Sequence, residues 1–426
     1  MNREMKDSRV EWIGEIPEDW ETHKIKFGFT EVNYKNTDGL IKNALKFRYG
    51  NIVCKENFDA DTEEYVADTI LNYNVVKPGD IMINGLNLNF DFVSIRSAIV
   101  ENIGVITSAY LALRPNEQII LPYYANYLFR SYDVCKAFHN MGIGMRKTLA
   151  FKEFKNQPCI FPSPTEQQQI VHFLDRKCTA IDTAIEKTKK SIEKLEEYKK
   201  AVITKAVTKG IDPNAKMKDS GVEWIGEIPE DWNIGRVKFL LDERNERSIY
   251  GKEEPLSMSQ KIGIIPTKQM NQVPHMAASF VNAKICYPND LVFNKLKAHL
   301  GVFSVSEYHG VVSPDYAVYF ENKYSHAKYL EYLFKTPQCI NEFKKRITGV
   351  GQGLSRLYTS ELYDVIVPTP TKEEQIRIAN EIRNKCEAIN NLIKKKQTAI
   401  NKLEEYKKSL IYYAVTGKID CRGEEL

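Results

Sequence analysis

One constellation in this 426-residue chain has the residue types and spacing of a catalytic site. Pro314-Asp315, followed by Glu321 and Lys323, imitates the motif with which metal-dependent nucleases hold a divalent cation. Its two parts lie unusually close together, and the parallel stretch in the first half of the chain, residues 108–111, contains no carboxylate. We therefore interpret the motif as a strand with its turn.

Other catalytic motifs are absent from the sequence. There is no Asn-Pro-Pro-aromatic loop of the kind that adenine methylation needs, and no Gly-x4-Gly-Lys-Ser/Thr loop for ATP. The seven histidines form no HExxH pair and the eight cysteines form no CxxC pair, so neither a zinc site nor a disulfide framework is indicated. We predict no catalytic residue, no metal site and no intrinsic cofactor.

Glycine-rich basic loops recur in both halves of the chain and suit nucleic-acid binding. The first spans 142–147 and carries Arg146 and Lys147; the second spans 349–356 and carries Gln352 and Arg356. Glycine lets the backbone approach a ligand closely, and basic side chains neutralise phosphate or bind guanine through paired hydrogen bonds. We predict DNA contacts at both loops, with an ordinary solvated turn as the alternative.

A second polar cluster in each half follows an Asp-Ile or Asp-Leu strand. Asparagine suits adenine edges, whereas lysine suits guanine or phosphate, so these clusters are further candidates for DNA contact. The alternative is a polar hairpin tip. The members are Asn84, Asn87, Asn89 and Arg96 in the first half and Lys295, Lys297 and His299 in the second.

The composition narrows the class of protein without identifying a partner. Lys and Arg total 60 against 56 Asp and Glu, and a net charge of +4 is too small to indicate nucleic acid by itself. No apolar run has the length of a signal peptide or a membrane span. We predict a cytoplasmic protein with reduced thiols and no membrane partner.

An internal repeat organises the whole chain. The segment 6–20 returns at 218–232 with one substitution, and Glu166-Gln167 returns 208 residues later as Glu374-Gln375. The chain therefore consists of two copies of one module. The repeated tryptophans are predicted to pack at a joint rather than to stack on nucleic acid; they are Trp12, Trp20, Trp224 and Trp232.

Each module ends in a segment with the heptad spacing of a coiled-coil seam. A helix over 165–208 would be about 65 Å long at 1.5 Å per residue. Because both segments keep the same register, we predict that they pair with each other, antiparallel; two independent coiled coils in an oligomer are the alternative. The seam residues are Leu174, Ile181, Ile185, Ile192 and Leu195, then Ile382, Ile389, Ile393, Ile400 and Leu403.

Two divergent bodies lie between these shared segments. Both have short runs rich in Ile, Val and Tyr, separated by Gly, Pro and Asn, followed by helical stretches. We predict an α+β protein with two globular α/β domains and a pair of long helices. The predicted boundaries are 1–161 for the first domain, 162–210 for its helix, 211–367 for the second domain, and 368–426 for the second helix with its tail.

The shared segments resemble those of the specificity subunit of type I restriction-modification systems. The similarity rests on the lead-in Val-Glu-Trp-Ile-Gly-Glu-Ile-Pro-Glu-Asp-Trp, the Pro-x-Pro segment before Glu-Gln, and the helix Lys-Leu-Glu-Glu-Tyr-Lys-Lys, each occurring twice. It covers nearly the whole chain. It implies that each globular body is a target recognition domain for one half of a split site in double-stranded DNA.

The same resemblance implies partners and cofactors. The long helices would fix the gap between the half-sites and dock two modification subunits, which would carry S-adenosylmethionine and methylate adenine. Restriction subunits driven by ATP, with magnesium, would join to cleave DNA. Two other functions stay open: a coiled-coil scaffold that does not read DNA, and a self-contained nuclease or methyltransferase, against which the missing motifs argue.

Overall fold

The computed structural model describes residues 3–48, 50–55, 70–145, 147–260, 262–270, 279–350 and 354–423. Contacts divide the chain into two compact units, the first formed by Met1–Thr188 with Gln397–Leu426 and the second by Lys189–Lys396. The division falls inside both long helices, at positions that are equivalent by the repeat. The sequence-based boundaries separate bodies from helices, whereas the contacts group each body with a segment of both helices.

The first unit is built on a four-stranded antiparallel sheet in the order β4-β11-β8-β9, with two-stranded ribbons around it. The central strand β8 is buried on both faces, which explains its unbroken apolar sequence Ile81–Ile83. The described strands of this unit are β1 (Met5–Asp7), β2 (Glu15–Pro17), β3 (Thr22–Lys24), β4 (Phe29–Glu31), β5 (Leu45–Arg48), β6 (Asn51–Cys54), β7 (Asn74–Val76), β8 (Ile81–Ile83), β9 (Ser97–Ile99), β10 (Gly104–Ile106), β11 (Leu111–Pro115) and β12 (Pro158–Ile160).

Helices pack on one side of this sheet and carry its aromatic core. Pro122 occupies the first turn of α1, where its missing N–H costs no hydrogen bond. Phe129 of α1 lies within 5.1–6.4 Å, ring centre to ring centre, of Phe29, Phe138 and Phe154. The helices are α1 (Pro122–Val134), α2 (Ala137–Met141), α3 (Phe151–Phe154) and the long α4 (Pro164–Lys209), which runs on into the second unit.

The second unit repeats this plan. Its four-stranded sheet has the equivalent order β16-β23-β20-β21. The described strands are β13 (Met217–Asp219), β14 (Glu227–Pro229), β15 (Asn233–Arg236), β16 (Leu241–Glu243), β17 (Leu256–Ser259), β18 (Gly263–Pro266), β19 (Lys284–Cys286), β20 (Leu291–Asn294), β21 (Phe303–Val305), β22 (Gly310–Val312), β23 (Tyr316–Glu321), β24 (Thr348–Val350), β25 (Leu354–Arg356) and β26 (Ile366–Thr369). The helices are α5 (Ala327–Phe334), α6 (Pro337–Arg346), α7 (Thr359–Tyr363) and the long α8 (Lys372–Val415).

A buried glutamine attaches the first turn of α4 to the first body. The side chain of Gln167 accepts a hydrogen bond from the backbone N–H of Leu121 (2.7 Å) and donates to the carbonyls of Ile119 and Pro162 (2.8 Å each). Gln167 is 0% exposed, so these contacts replace those that water would make. The long helix is thereby tied to the residue that precedes α1.

Gln375 makes the same attachment at the start of α8. It accepts from the N–H of His326 (2.8 Å) and donates to the carbonyls of Tyr324 (3.0 Å) and Pro370 (2.9 Å). Gln375 is also 0% exposed. The repeated Glu-Gln pair of the sequence is thus a joint between long helix and body, present once in each unit.

The far end of the other long helix contacts each body as well. In the first unit the Tyr124 hydroxyl of α1 donates to the carbonyl of Val415, at the end of α8 (3.1 Å). In the second unit the Tyr329 hydroxyl of α5 donates to the carbonyl of Val207, near the end of α4 (3.0 Å). Each body therefore contacts the beginning of one long helix and the end of the other.

Within the first unit the two long helices run antiparallel. The Lys407 ammonium of α8 pairs with the Asp182 carboxylate of α4 (2.6 Å), and the Gln169 side chain donates to the carbonyl of Arg422 (3.2 Å). As residue numbers rise along α4, those of its partners fall. This pairing agrees with the predicted antiparallel arrangement.

The second unit contains the equivalent helix contact. Lys199 of α4 donates to the Asn390 side chain of α8 (2.8 Å). Lys199 and Asn390 stand 208 residues from Lys407 and Asp182, so one contact occurs twice, as an ion pair in the first unit and as a hydrogen bond in the second.

The seam residues are buried to different degrees. Six are buried, namely Leu174, Ile181, Ile185, Ile382, Ile389 and Ile400, whereas Ile192, Leu195, Ile393 and Leu403 are half-buried. No helix in the described part of the chain is long and apolar enough to cross a bilayer.

The buried glutamine joint can be tested by mutation. We expect Gln167→Ala to lower the free energy of unfolding by about 3 kcal/mol, because it leaves one N–H and two carbonyl groups of the buried backbone without partners. The control is Gln168→Ala, since Gln168 is exposed on the same helix turn. Urea unfolding followed by circular dichroism measures both. Equal effects of the two substitutions would contradict the role given to Gln167.

Candidate nucleic-acid interface

The first predicted polar cluster lies on a loop, 84–96, that connects β8 to β9. The Asn84 side chain accepts a hydrogen bond from the N–H of Leu86 (3.2 Å). The backbone N–H of Asn84 donates to the carbonyl of Arg96 (2.7 Å), and this bond closes the base of the loop. Asn87 is exposed at φ 52°, a left-handed conformation that asparagine tolerates better than most residues. The loop therefore presents Asn87 outward from a fixed base.

The glycine-rich segment of the first unit is hydrogen-bonded to this loop. An isolated antiparallel bridge pairs Ile143 with Thr148 in this segment. The N–H of Leu149 donates to the carbonyl of Gly85 (2.9 Å), and the Asn89 side chain donates to the carbonyl of Met145 (3.0 Å). A Cβ at position 85 would lie 2.6 Å from the Leu149 carbonyl oxygen, so this approach requires glycine.

The structure thus joins two candidate clusters that are distant in the sequence: Asn89 and Met145, for example, are 56 residues apart. Lys147, at φ 38°, is exposed beside the loop, and its carbonyl accepts from the N–H of Leu88 (3.0 Å). Arg146, predicted to bind DNA, lies outside the described residues. The joined loops form a surface that we call the first reading surface, comprising residues 84–96, 143–145, 147 and 148.

Arg96 requires a correction, because it is buried beneath this surface. Its guanidinium donates to the carbonyls of Asn84 (3.1 Å), Leu86 (2.9 Å) and Asp91 (2.7 Å), and the residue is 1% exposed. We predicted that Arg96 contacts DNA; instead it holds the loop from inside. Residue type alone does not distinguish the two roles.

Asp133, which the sequence analysis did not single out, supports the same loop from α1. Its carboxylate accepts from the N–H of Arg96 (2.9 Å) and from both the N–H (3.1 Å) and the hydroxyl (3.0 Å) of Ser97. Burial raises the pKa of Asp133 to about 6, although these hydrogen bonds act in the opposite direction. Nothing in the local sequence around Asp133 indicates this contact, since its partners lie 36 and 37 residues away.

Glu331 of α5 has the corresponding role in the second unit. It accepts from the hydroxyl of Ser304 and the N–H of Val305 in β21, at 3.2 Å each. Burial opposes its ionisation, but Lys335 and Lys328 outweigh this effect and lower the pKa of Glu331. A carboxylate on the short helix therefore supports the reading loop in both units.

Exposed apolar side chains also lie on the first reading surface. Met145 is 96% exposed, Val93 is 92% exposed, and Phe90 and Phe92 are more than half exposed. Such residues on a loop tip beside lysine can stack on bases or insert between base steps. None of these apolar residues is among the DNA contacts predicted from the sequence, which are all polar or basic.

The second unit has the same joint with different side chains. The Asn294 side chain accepts from the N–H of Leu296 (3.1 Å), as Asn84 does from Leu86, and the N–H of Leu357 donates to the carbonyl of Lys295 (3.0 Å), as Leu149 does to Gly85. The second reading surface comprises residues 294–300 with the hairpin β24–β25. Gln352, predicted to bind DNA, lies outside the described residues.

Three predicted residues of the second reading surface differ in exposure. Lys297 is exposed, whereas Lys295 and His299 are half-buried. Burial lowers the pKa of Lys295, and the positive charges of Lys284 and Arg356 act in the same direction. A phosphate placed here would relieve this mutual repulsion.

Arg356 and the imitation nuclease motif meet on this surface. The Arg356 guanidinium pairs with the Asp315 carboxylate (2.9 Å). Glu321 lies at the other end of β23, roughly 20 Å along the strand, and there it accepts from the N–H of Ala327 (2.7 Å). The two carboxylates therefore cannot hold one metal ion, and the described residues contain no cluster of three or more potential metal ligands.

The large tryptophans of the lead-ins pack inside their units. Trp20 and Trp232 are 3% and 2% exposed, and the Trp20 indole N–H donates to the Glu166 carboxylate (2.9 Å). Trp12 stands edge-on to Tyr132 with ring centres 6.3 Å apart. These positions agree with the predicted packing role.

Comparison with known proteins gives one consistent family. A family model described as the type I restriction modification DNA specificity domain matches residues 17–197. The putative type I restriction enzyme MjaX specificity subunit of Methanocaldococcus jannaschii is 26% identical over 444 residues, which cover 96% of this chain and 95% of that protein. The MjaVIII specificity subunit of the same organism is 23% identical over 426 residues, with coverage of 96% and 95%.

Solved structures share the fold. A chain solved to describe complex assembly and conformational transition of the type I R-M system has a TM-score of 0.68 at 12% identity, covering 95% of this chain and 99% of that one. The HsdS subunit from Thermoanaerobacter tengcongensis has a TM-score of 0.55 at 13% identity, with coverage of 95% and 98%. These similarities confirm the predicted α+β fold.

Substitution can separate the supporting residue from the exposed one. We expect Arg96→Met to lower the free energy of unfolding by about 3 kcal/mol, because three part-buried carbonyls lose a charged donor. Lys147→Met, on the exposed side of the same surface, is expected to change it by no more than about 0.5 kcal/mol. Chemical denaturation of both variants provides the measurement. A neutral effect of Arg96→Met would show that the loop does not depend on this side chain.

Proposed function

We propose that the chain is a specificity subunit of a type I restriction-modification system and that each of its two units reads one half of a bipartite DNA site. The observation that carries this proposal is the joint found in both units, in which two separate clusters of DNA-suited residues form one surface. The subunit itself is not catalytic. It recognises DNA and assembles with the other subunits of its system.

The two half-sites should differ in sequence. The joint is the same in both units, but the side chains it presents are not: asparagine, lysine and large apolar groups on the first surface, lysine, histidine and arginine on the second. Side chains of different hydrogen-bonding type select different base edges in the major groove. We therefore infer an asymmetric site rather than a palindrome.

The long helices would fix the number of base pairs between the half-sites. Both helices are long, and antiparallel contacts between them occur within each unit; a fixed spacing between two DNA readers would require such helices to act as a spacer. The repeat of the shared segments would also allow two identical modification subunits to dock in equivalent ways.

Catalysis would belong to those partners. The modification subunits would supply S-adenosylmethionine and the methyltransferase site for adenine, and restriction subunits would supply ATP-driven, magnesium-dependent cleavage. In this proposal the complex acts in the cytoplasm, where the chromosome is accessible.

Methylome sequencing tests the recognition function directly. A host that expresses the modification subunit should acquire methylated adenines in a split motif only when this chain is also expressed. Unchanged methylation, with the modification subunit active and bound to this chain, would favour a scaffold that does not read DNA.

Arg356→Ala should relax base selection in one half of the motif, by about ten- to a hundredfold per base, because one bidentate contact is lost. Relaxation of both halves would contradict the assignment of Arg356 to one half.

Lengthening both helices tests the spacer. We expect seven residues inserted after Thr188 and after Lys396 to lengthen the gap in the recognised motif by about three base pairs, since two helical turns add about 10.5 Å and base pairs are 3.4 Å apart. Heptad insertion keeps the seam in register and leaves each unit intact. The same methylome measurement reads the gap. Altered half-sites with an unchanged gap would overturn the spacer role.

A further inference from the structure

The two units differ at one buried site next to the long helices. In the first unit Arg3 occupies it: the guanidinium pairs with the carboxylates of Asp19 (2.8 Å) and Glu166, and lies over the Trp20 ring at 5.3 Å from its centre. The Arg3 side chain is 8% exposed. The site is therefore built to hold a guanidinium group between two carboxylates and an indole.

The backbone hydrogen bonds define the equivalent position in the second unit. The N–H of Glu18 donates to the carbonyl of Glu4 (3.0 Å), and the N–H of Glu230 donates to the carbonyl of Lys216 (2.8 Å). Lys216 therefore corresponds to Glu4, so the counterpart of Arg3 is Ala215. By the same repeat, Asp231, Trp232 and Glu374 correspond to Asp19, Trp20 and Glu166.

The second unit has an open pocket at this place. Its volume is about 470 Å³, and Ala215, Asp231, Trp232 and Glu374 all line it. The groups that hold the guanidinium of Arg3 are thus retained, while the side chain that fills the site in the first unit is missing from the chain.

We propose that this pocket binds the guanidinium group of an arginine residue supplied by another molecule. A planar guanidinium can donate to both carboxylates at once, as Arg3 does, whereas the compact ammonium of lysine matches this paired geometry less well. The equivalent site in the first unit identifies the ligand, because it holds the guanidinium of Arg3.

One charged neighbour competes with such a ligand. Arg377 forms an ion pair with Glu374 on the same helix, and the Arg377 side chain is 67% exposed. Its counterpart in the first unit is the uncharged Gln169, so Glu166 is free to pair with Arg3 there. The other charged residues of the pocket wall are Lys209, Asp212, Lys216 and Glu230. Removing the charge of Arg377 should therefore strengthen binding.

Calorimetric titration of the full chain with N-acetyl-arginine amide tests the proposal. We expect one site per chain and at least about tenfold weaker binding of N-acetyl-lysine amide. Ala215→Arg should abolish binding, because the new side chain fills the pocket as Arg3 fills its own. Arg377→Gln should increase the affinity.

A reciprocal variant makes the test decisive. Arg3→Ala opens the equivalent site in the first unit, so the number of bound ligands should rise from one to two, and Arg3→Ala with Ala215→Arg should bind one. Binding that survives Ala215→Arg, or no binding to either the wild-type chain or Arg3→Ala, would overturn the proposal. Free arginine, titrated beside the blocked amide and a Gly-Arg-Gly peptide, distinguishes the sources: a preference for the blocked forms indicates a polypeptide partner, and equal binding a small molecule.

Discussion

Two buried glutamine amides determine where the long helices meet the globular bodies. Gln167 and Gln375 each use their side-chain amide to hold three backbone groups, one of them at the residue before a short helix of the body. An amide enclosed without water tolerates little displacement, since each lost hydrogen bond leaves a buried polar group without a partner. Each body can consequently occupy only a narrow range of positions on the helix segments of its own unit.

The short helix transmits that position to the reading surface. In the first unit α1 begins beside Leu121, which Gln167 holds, and near its end Asp133 binds the base of the loop at Arg96 and Ser97. In the second unit α5 makes the equivalent two contacts. Gln375 holds His326, the residue before α5, and Glu331 of α5 accepts from the N–H of Val305 in β21. A loop supported from a rigid helix loses little additional entropy when it binds, which favours recognition by fixed loops rather than by folding on the DNA.

Duplication separates what must stay constant from what can vary. The attachments, the helix contact and the backbone joint of each reading surface occur in both units, whereas the exposed side chains differ. The same comparison within one chain shows where a constant site has been altered: Arg3 fills the first, and Ala215 leaves the second open.

The sequence by itself determined the features that depend on local period and on repetition. Heptad spacing specifies which face of a helix is apolar, so the helices and their seam could be predicted from Leu174 or Ile382 and their neighbours; the repeat then implied two similar bodies. The sequence also located both clusters of the reading surfaces. Only the tertiary structure decided which of their members face outward. Arg96 and Lys147 are both basic residues in polar segments, but Arg96 is turned inward by carbonyl groups that converge on it when the loop closes. Asp133 and Gly85 acquire their roles from partners 36 or more residues away, and contacts at that separation leave no period in the sequence.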